Sequence, residues 1–391
     1  MFERLYARRA ASLADSSLKD VLESRPGVIS FSGGLPDEKA FPYERIAALT
    51  AQVCQQPQAW QYPPTEGLVE LREQIALQMQ RIGIAAGPEN ILVTQGSQQG
   101  LDLINKAFVD PGDPVFVEAP GYLGALKAVE NYEGRLIPLP LDEEGLDVAA
   151  LRARHERAKY LYTVSTFQNP AGCTLSLARR RELLHIAERR GFFIVEDGAY
   201  HHLRFEGDPI PPLKALDQTG HVIYLGSFSK VLVPGIRVGW IVAPRPVIDR
   251  LALLKQATDL AGSSFGQLFA AAWLREFGLT PPVELYRQKR DLALAALRDH
   301  MPPGVQWNRP QGGFFLWVTL PQRIDTRSLL AASLRAGVSY VPGDAFGGAP
   351  NALRFSYSQV GLDEIEEGVR RLARVVAAAS DGGELRSAME N

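Results

Sequence analysis

An α/β fold built on a largely parallel sheet is predicted by two features of the sequence. Apolar runs of strand length alternate with longer stretches of helical apolar spacing from about residue 90 to 245, the pattern of strands buried on both faces and joined by crossover helices. Glycine-rich or polar segments directly follow five of those runs, and in open α/β sheets ligands bind beyond the carboxyl ends of the strands. From about residue 285 the texture changes to a long charged helix, short strands and two further helices, which reads as a smaller α+β domain.

Taken in order, the strand candidates of the main sheet are 91–94, 115–118, 135–139, 160–164, 192–196, 222–225 and 238–242, so a seven-stranded, mainly parallel sheet is expected. Amphipathic stretches at 101–108, 124–130 and 177–190 lie between them. The last carries Arg179, Arg180, Arg181, Arg189 and Arg190. Its apolar residues Leu177, Leu183, Leu184, Ile186 and Ala187 keep helical spacing, so the arginines are expected on a solvated face. Beyond these come a helix at 285–300, strands near 305–307 and 313–318, a helix at 327–336, strands at 338–341 and 352–356, and a final helix at 362–378. The expected organisation is an N-terminal segment 1–40 packing with the small domain, a large domain 41–284, a small domain 285–379, and a polar tail 380–391 that is disordered.

Of the 391 residues, 46% are apolar and 22% charged, a globular make-up. A net charge of -2 gives no electrostatic reason to bind nucleic acid or an anionic membrane. The two cysteines, Cys54 and Cys173, suit a reducing compartment and predict no disulfide. Residues 1–11 hold several arginines but no apolar core of a secretory signal. No stretch approaches the ~18 consecutive apolar residues that span a membrane. A cytoplasmic protein is expected.

The loops carry the chemistry. Ser227, Ser229 and Lys230 end the sixth strand, with Arg237 seven residues beyond the lysine. An amine that can lose its proton attacks a carbonyl to form a Schiff base, and a phosphate anchored beside it needs hydroxyl donors and a guanidinium fork. This one segment supplies them all, although a surface lysine is the commonplace alternative. Asp197, in EDGAY, ends the fifth strand. It either caps the next helix or pairs with the protonated pyridine nitrogen of pyridoxal 5′-phosphate, making the ring an electron sink. Tyr200 stands one turn on, in position to bond the ring's phenolic oxygen.

The GSQQG segment at 96–100 offers Ser97 and backbone N–H groups as an anion cradle, or else is a tight turn with a helix cap. Tyr122, in APGY, is either a core tyrosine or an aromatic that stacks on a flat ring. Asn169, in QNPAG, is either a plain turn residue or a side-chain donor held by the following proline. His201 and His202 are adjacent and project differently, with no third ligand at metal spacing, so no metal is expected.

Together GSQQG, FQNPAG, EDGAY, SFSKVLVPGIRVGW and NALRFSYS resemble the class I/II pyridoxal-phosphate-dependent aminotransferases of fold type I. Within these, the chain looks like the branch with aminoadipate, kynurenine and multi-substrate aminotransferases. The likeness runs from about Ser16 to Ala378. It implies that Lys230 is the Schiff-base lysine and proton shuttle, that Asp197 partners the pyridine nitrogen, and that Tyr122 stacks on the ring. It further implies that Tyr200 and Asn169 bind the phenolic oxygen, while Ser97, Gln98, Ser227, Ser229 and Arg237 hold the phosphate. Tyr62 matches a tyrosine that reaches a neighbouring subunit's phosphate, which implies a homodimer with shared sites. Arg354 matches the arginine that forks onto the substrate α-carboxylate, and Gly33 and Gly34 match the bend that closes over the substrate. The implied reaction is transamination between an L-amino acid and a 2-oxo acid such as 2-oxoglutarate, ping-pong through pyridoxamine phosphate.

The chain departs from that pattern in places. Gly198 stands where many relatives carry a second acid, a change expected to touch a supporting contact and not the chemistry. Lys19 occupies the place of an arginine found in relatives that prefer acidic side chains; a lysine meets a carboxylate as a point charge without the fork. Lys39 and Ala40 stand where acidic or bulkier residues are common. Elimination, cyclisation or decarboxylation of an amino acid in a specialised pathway is therefore the alternative reading. A sensor domain of a transcription regulator is a third, and the chain is expected to lack the fused basic module that such regulators carry.

Overall fold

A computed structural model of the chain describes residues 2–11 and 26–380. Lys19 and the tail from 381 lie outside the described residues. Strand β1 (Ile29–Ser30) stands apart from the main sheet. That sheet comprises β2 (Ile91–Thr94), β3 (Pro114–Ala119), β4 (Arg135–Asp142), β5 (Gly145–Leu146), β6 (Tyr160–Thr163), β7 (Phe193–Asp197), β8 (Val222–Ser227) and β9 (Gly239–Val242). Their order across the sheet is β2-β9-β8-β7-β6-β3-β4-β5. The central pairs β8·β7, β7·β6, β6·β3 and β3·β4 are parallel, whereas β9 runs antiparallel to both neighbours.

These strands are apolar almost throughout because both faces are covered. In β3, Val115 and Val117 face one layer and Phe116 the other; in β7, Val195 and Ile194 divide the same way. The longer helices up to residue 300 are α1 (Tyr43–Cys54), α2 (Val69–Arg81), α3 (Ser97–Phe108), α4 (Leu123–Glu130), α5 (Leu177–Arg190), α6 (Arg245–Asp259), α7 (Ser264–Phe277) and α8 (Val283–His300). One face of the sheet carries Leu101 and Ile104 of α3, Val129 of α4 and Leu251 of α6. The opposite face carries Leu183 and Ala187 of α5, and α2 and α7 pack over Ile91, Val93 and Trp240.

Beyond α8 lie β10 (Gln306–Trp307), β11 (Phe315–Thr319), α9 (Thr326–Arg335), β12 (Val338–Ser339), β13 (Val341–Pro342), β14 (Ala352–Ser356) and α10 (Ile365–Ser380). Four of these strands form a second, antiparallel sheet in the order β10-β11-β14-β13. β1 pairs in parallel with β12, and Phe31 stacks on Phe355 with ring centroids 3.9 Å apart. No described helix is long and apolar enough to cross a membrane.

The sheet has eight strands where the sequence predicts seven. The extra strand, β5, is a two-residue partner of β4, too short to show any apolar pattern. The stretch read as one strand at 338–341 is two, which pair in different sheets on either side of Tyr340. α3 begins at Ser97, four residues before its apolar spacing starts, because its first turn, Ser97–Gly100, is polar and shows no apolar pattern. Arg180 is not on a solvated face. It is fully buried, with its guanidinium donating to the carbonyls of Leu175, Ser165 and Pro211 and to the Thr166 hydroxyl.

Candidate active site

Strands β2, β3, β6, β7 and β8 all point the same way, so the loops leaving their carboxyl ends emerge at one edge. There they meet the 34–35 bend and β14. Ser97, Tyr122, Asn169, Asp197, Tyr200, Lys230 and Arg354 line a single cavity, together with Gly34, Leu35, Tyr162, Val164 and Ala199. Residues far apart in the chain touch here: the Lys230 Nζ donates to the carbonyl of Gly34, 196 positions away, at 2.7 Å.

The electrostatics follow from burial. Loss of solvent, reinforced by the Arg354 and Arg237 charges and opposed by Asp197, pushes the Lys230 ammonium down to about 8. The Asp197 carboxyl moves the other way, raised mainly by burial. Its oxygens accept from the Ala199 N–H at 3.1 Å and the Tyr162 hydroxyl at 3.0 Å. The helix-cap reading of Asp197 thus survives only as a two-residue turn contact, because the carboxylate sits on the cavity wall.

Arg354, on β14, lies between two aromatic rings, its guanidinium carbon 4.5 Å from the Phe315 centroid and 4.9 Å from that of Phe346. Nη1 donates to Asn169 Oδ1 at 2.9 Å and Nη2 to the carbonyl of Ser32, while the buried Nε has no partner among the described residues. Burial lowers its pKa to about 10. Asn169 Nδ2 in turn reaches the Tyr200 hydroxyl at 3.5 Å. Gly34 is tight against this group, since a Cβ there would lie 2.8 Å from Phe315 Cζ.

At the other end, Gly96 caps α3 with φ 75°, and a Cβ on it would lie 2.7 Å from Arg237 Nη2. Arg237, itself left-handed at φ 52°, donates to Ser229 Oγ at 3.4 Å and to the carbonyl of Gln95 at 3.2 Å. The Ser227 hydroxyl donates to that of Ser229 at 3.0 Å. A helix N-terminus, two hydroxyls and a guanidinium therefore converge, a set suited to a phosphate dianion. The Gln98 side chain is engaged elsewhere: it donates to the carbonyl of Gly124 at 2.8 Å and accepts from the Tyr122 hydroxyl at 3.3 Å. Tyr62 is 78% exposed and lies off the cavity of its own chain.

Sequence reasoning singled out neither Tyr162 nor the ring pair Phe315 and Phe346. Tyr162 sits inside an apolar strand where alternation hides it, and the only signal was a hydroxyl that burial obliges to find a partner. The missing acid at 198 has a physical reason: the Tyr224 hydroxyl would lie 2.0 Å from a Cβ at that position.

Pyridoxal 5′-phosphate fits these residues. It combines a carbonyl for an amine of lowered pKa, a protonated ring nitrogen for a buried carboxylate, and a phosphate for the anion-binding end. The family model for aminotransferase class I and II matches residues 27–372. The chain is 40% identical to aromatic-amino-acid aminotransferase 1 of Thermococcus litoralis, covering 96% of this chain and 94% of that one. The structure resembles the kynurenine aminotransferase of Pyrococcus horikoshii, solved in complex with PMP, at 41% identity, TM-score 0.91, and 96% and 97% coverage. It also resembles the alpha-aminoadipate aminotransferase of Thermus thermophilus, complexed with N-(5′-phosphopyridoxyl)-L-leucine, at 38% identity, TM-score 0.91, and 97% and 99% coverage. The strand-end cavity, the fold and the sequence lead to one conclusion: this chain belongs to the class I and II aminotransferases, fold type I enzymes that use pyridoxal 5′-phosphate to move an amino group between amino and oxo acids.

Proposed function

We propose that the enzyme transaminates an L-amino acid with an aromatic, aliphatic or aminoadipate-like side chain, uses 2-oxoglutarate as acceptor, and works by ping-pong turnover, with Lys230 as its central catalytic group. One observation carries the reading. The Lys230 amine is lowered to about 8 by loss of solvent and shares a cavity with an aspartate and an arginine carried on separate strands. The bound cofactor supplies an aldehyde that condenses with amines and a ring that renders the Cα proton of an attached amino acid acidic.

The chain's own residues do the rest. Lys230 is the amine that carries the cofactor and the base whose Nζ takes and returns the Cα proton. Asp197 stabilises positive charge on the ring nitrogen, oriented by Tyr162 and the Ala199 N–H. Tyr122 covers the ring, and Tyr200 with Asn169 binds its phenolic oxygen. Ser97, the Gln98 N–H, Ser227, Ser229 and Arg237 hold the phosphate. Arg354 orients the substrate α-carboxylate, its Nε without a partner among the described residues and its Asn169-bound Nη1 lying under the Gly34 bend.

We further assign the division 1–40, 41–284 and 285–379, supported by the pairing of β1 with β12. The working state is a cytoplasmic homodimer with Tyr62 reaching the partner's phosphate, supported by the exposure of that ring and by two unpaired cysteines. Borohydride reduction followed by peptide mapping tests the core assignment, with a pyridoxyl adduct expected on Lys230. An adduct on another lysine, or none, overturns it. A panel of aminoadipate, leucine, phenylalanine and basic amino acids against 2-oxoglutarate then ranks the donors.

A further inference from the structure

Glu118, next to last in β3, is absent from the cavity wall yet only 3% exposed. Three donors meet its carboxylate: the Thr163 hydroxyl, the Val164 N–H at 3.2 Å and Gln168 Nε2 at 3.0 Å. The Gln168 amide continues the connection. Its Nε2 also donates to the carbonyl of Pro120 at 2.9 Å, and its Oε1 accepts from the Ala171 N–H at 2.6 Å. Pro120 lies two residues before Tyr122, and Gln168 immediately precedes Asn169. One carboxylate and one amide thus join two loops that face the same cavity.

A buried carboxylate is a costly means of satisfying a backbone N–H. Burial drives the Glu118 carboxyl up to about 7 against the pull of its hydrogen bonds, and the nearby Asp197 charge adds to the rise. A group kept under that strain is better explained by what it fixes than by its own stability.

We propose that Glu118 is a positioning residue of the active site, gripping Gln168 so that the Tyr122 loop and the Asn169 loop hold their separation across the cofactor cavity. The proposal rests on the assignment of Tyr122 and Asn169 to the cofactor.

The test uses three substitutions. Glu118→Gln can keep every contact, its carbonyl accepting from Val164 and Gln168 and its amide donating to the Thr163 hydroxyl. Glu118→Ala and Gln168→Leu each remove the bridge. Protein stripped of cofactor is titrated with pyridoxal 5′-phosphate by tryptophan fluorescence, and the pH midpoint of the bound chromophore's visible absorption is read alongside. Glu118→Gln is expected within about threefold of the parent affinity, while Glu118→Ala and Gln168→Leu each weaken binding about tenfold and displace the midpoint. The double variant should be no weaker than Gln168→Leu alone, since residues in one network are not additive.

Effects that multiply in the double variant overturn the proposal, as does a Glu118→Gln protein as impaired as Glu118→Ala. If Glu118→Ala does not fold, a Gln168→Leu protein with parental affinity and midpoint overturns it just as well. A parent that takes no cofactor at Lys230 overturns the function proposed above and this inference with it. A parent that takes it, with variants that behave identically, overturns this inference alone.

Discussion

At the scale of single residues, the site works by setting two charged groups against their own solvation. Lys230 shows it in pH. An amine is nucleophilic only when neutral, and a pKa lowered to about 8 puts the neutral form within reach of physiological conditions. Incorporation of pyridoxal 5′-phosphate into cofactor-free enzyme should therefore accelerate with rising pH and level off above about pH 8. Stopped-flow absorbance measures this; a rate still climbing tenfold per unit past about pH 9 would mean Nζ keeps its ordinary basicity. Arg354 makes a different prediction. Its planar guanidinium fits between Phe315 and Phe346 and presents separate N–H groups, which an ammonium cannot reproduce. Arg354→Lys should lower kcat/KM by about 100-fold, ~2.7 kcal/mol, mostly through KM for the amino acid. Steady-state kinetics at saturating 2-oxoglutarate decide it.

Whole elements supply what no side chain can. The convergence of the α3 N-terminus with Arg237 depends on α3 starting where it does, and the start depends on Gly96 at φ 75° with Arg237 packed against its bare Cα. Gly96→Ala combines left-handed strain with a Cβ 2.7 Å from Arg237 Nη2. Cofactor affinity should fall about tenfold or more while the thermal midpoint of the cofactor-free protein drops by only a few degrees. Equilibrium binding and calorimetry separate the two effects, and an unchanged affinity would show that Arg237 is not held by that contact. The cover over Lys230 is fixed by another element. Lys289, buried in α8, pairs with Asp37 Oδ2 at 2.6 Å and donates to the carbonyl of Ser358 at 2.9 Å. The 34–37 segment, the helix and the turn that follows the Arg354 strand are thereby tied together. Lys289→Met leaves the buried Asp37 with the Lys39 N–H but without its counter-ion, and should destabilise the fold by about 3 kcal/mol in denaturant melts.

At the scale of the molecule, the Tyr62 ring is exposed and lies off the cavity of its own chain, and the dimer proposed above would carry it to the partner's site. If it serves the partner's phosphate, inactive variants should complement each other. Lys230→Ala and Tyr62→Ala subunits, mixed and reassorted, form hybrids in which one site holds an intact lysine and an intact tyrosine. Half the dimers are hybrids with one good site of two, so activity should return to about a quarter of the parent value. Mixtures that stay at the level of the Tyr62→Ala protein would place that tyrosine in its own chain's chemistry or in none.

The sequence by itself determined the layered α/β architecture, because strands covered on both faces must be apolar along their whole length. It also set Lys230, Asp197, Arg237 and the glycine turns at or just past strand ends, because an apolar run that stops at a polar or glycine-rich segment marks where strand gives way to loop. What it did not hold was any relation between segments far apart. That Tyr162 supports Asp197, that Glu118 reaches Gln168, and that Arg180 is buried are consequences of which strands lie side by side, and a local pattern carries no record of its neighbour in space. Only the tertiary structure decided those contacts, because each arises where backbone groups desolvated by packing must find partners from another part of the chain.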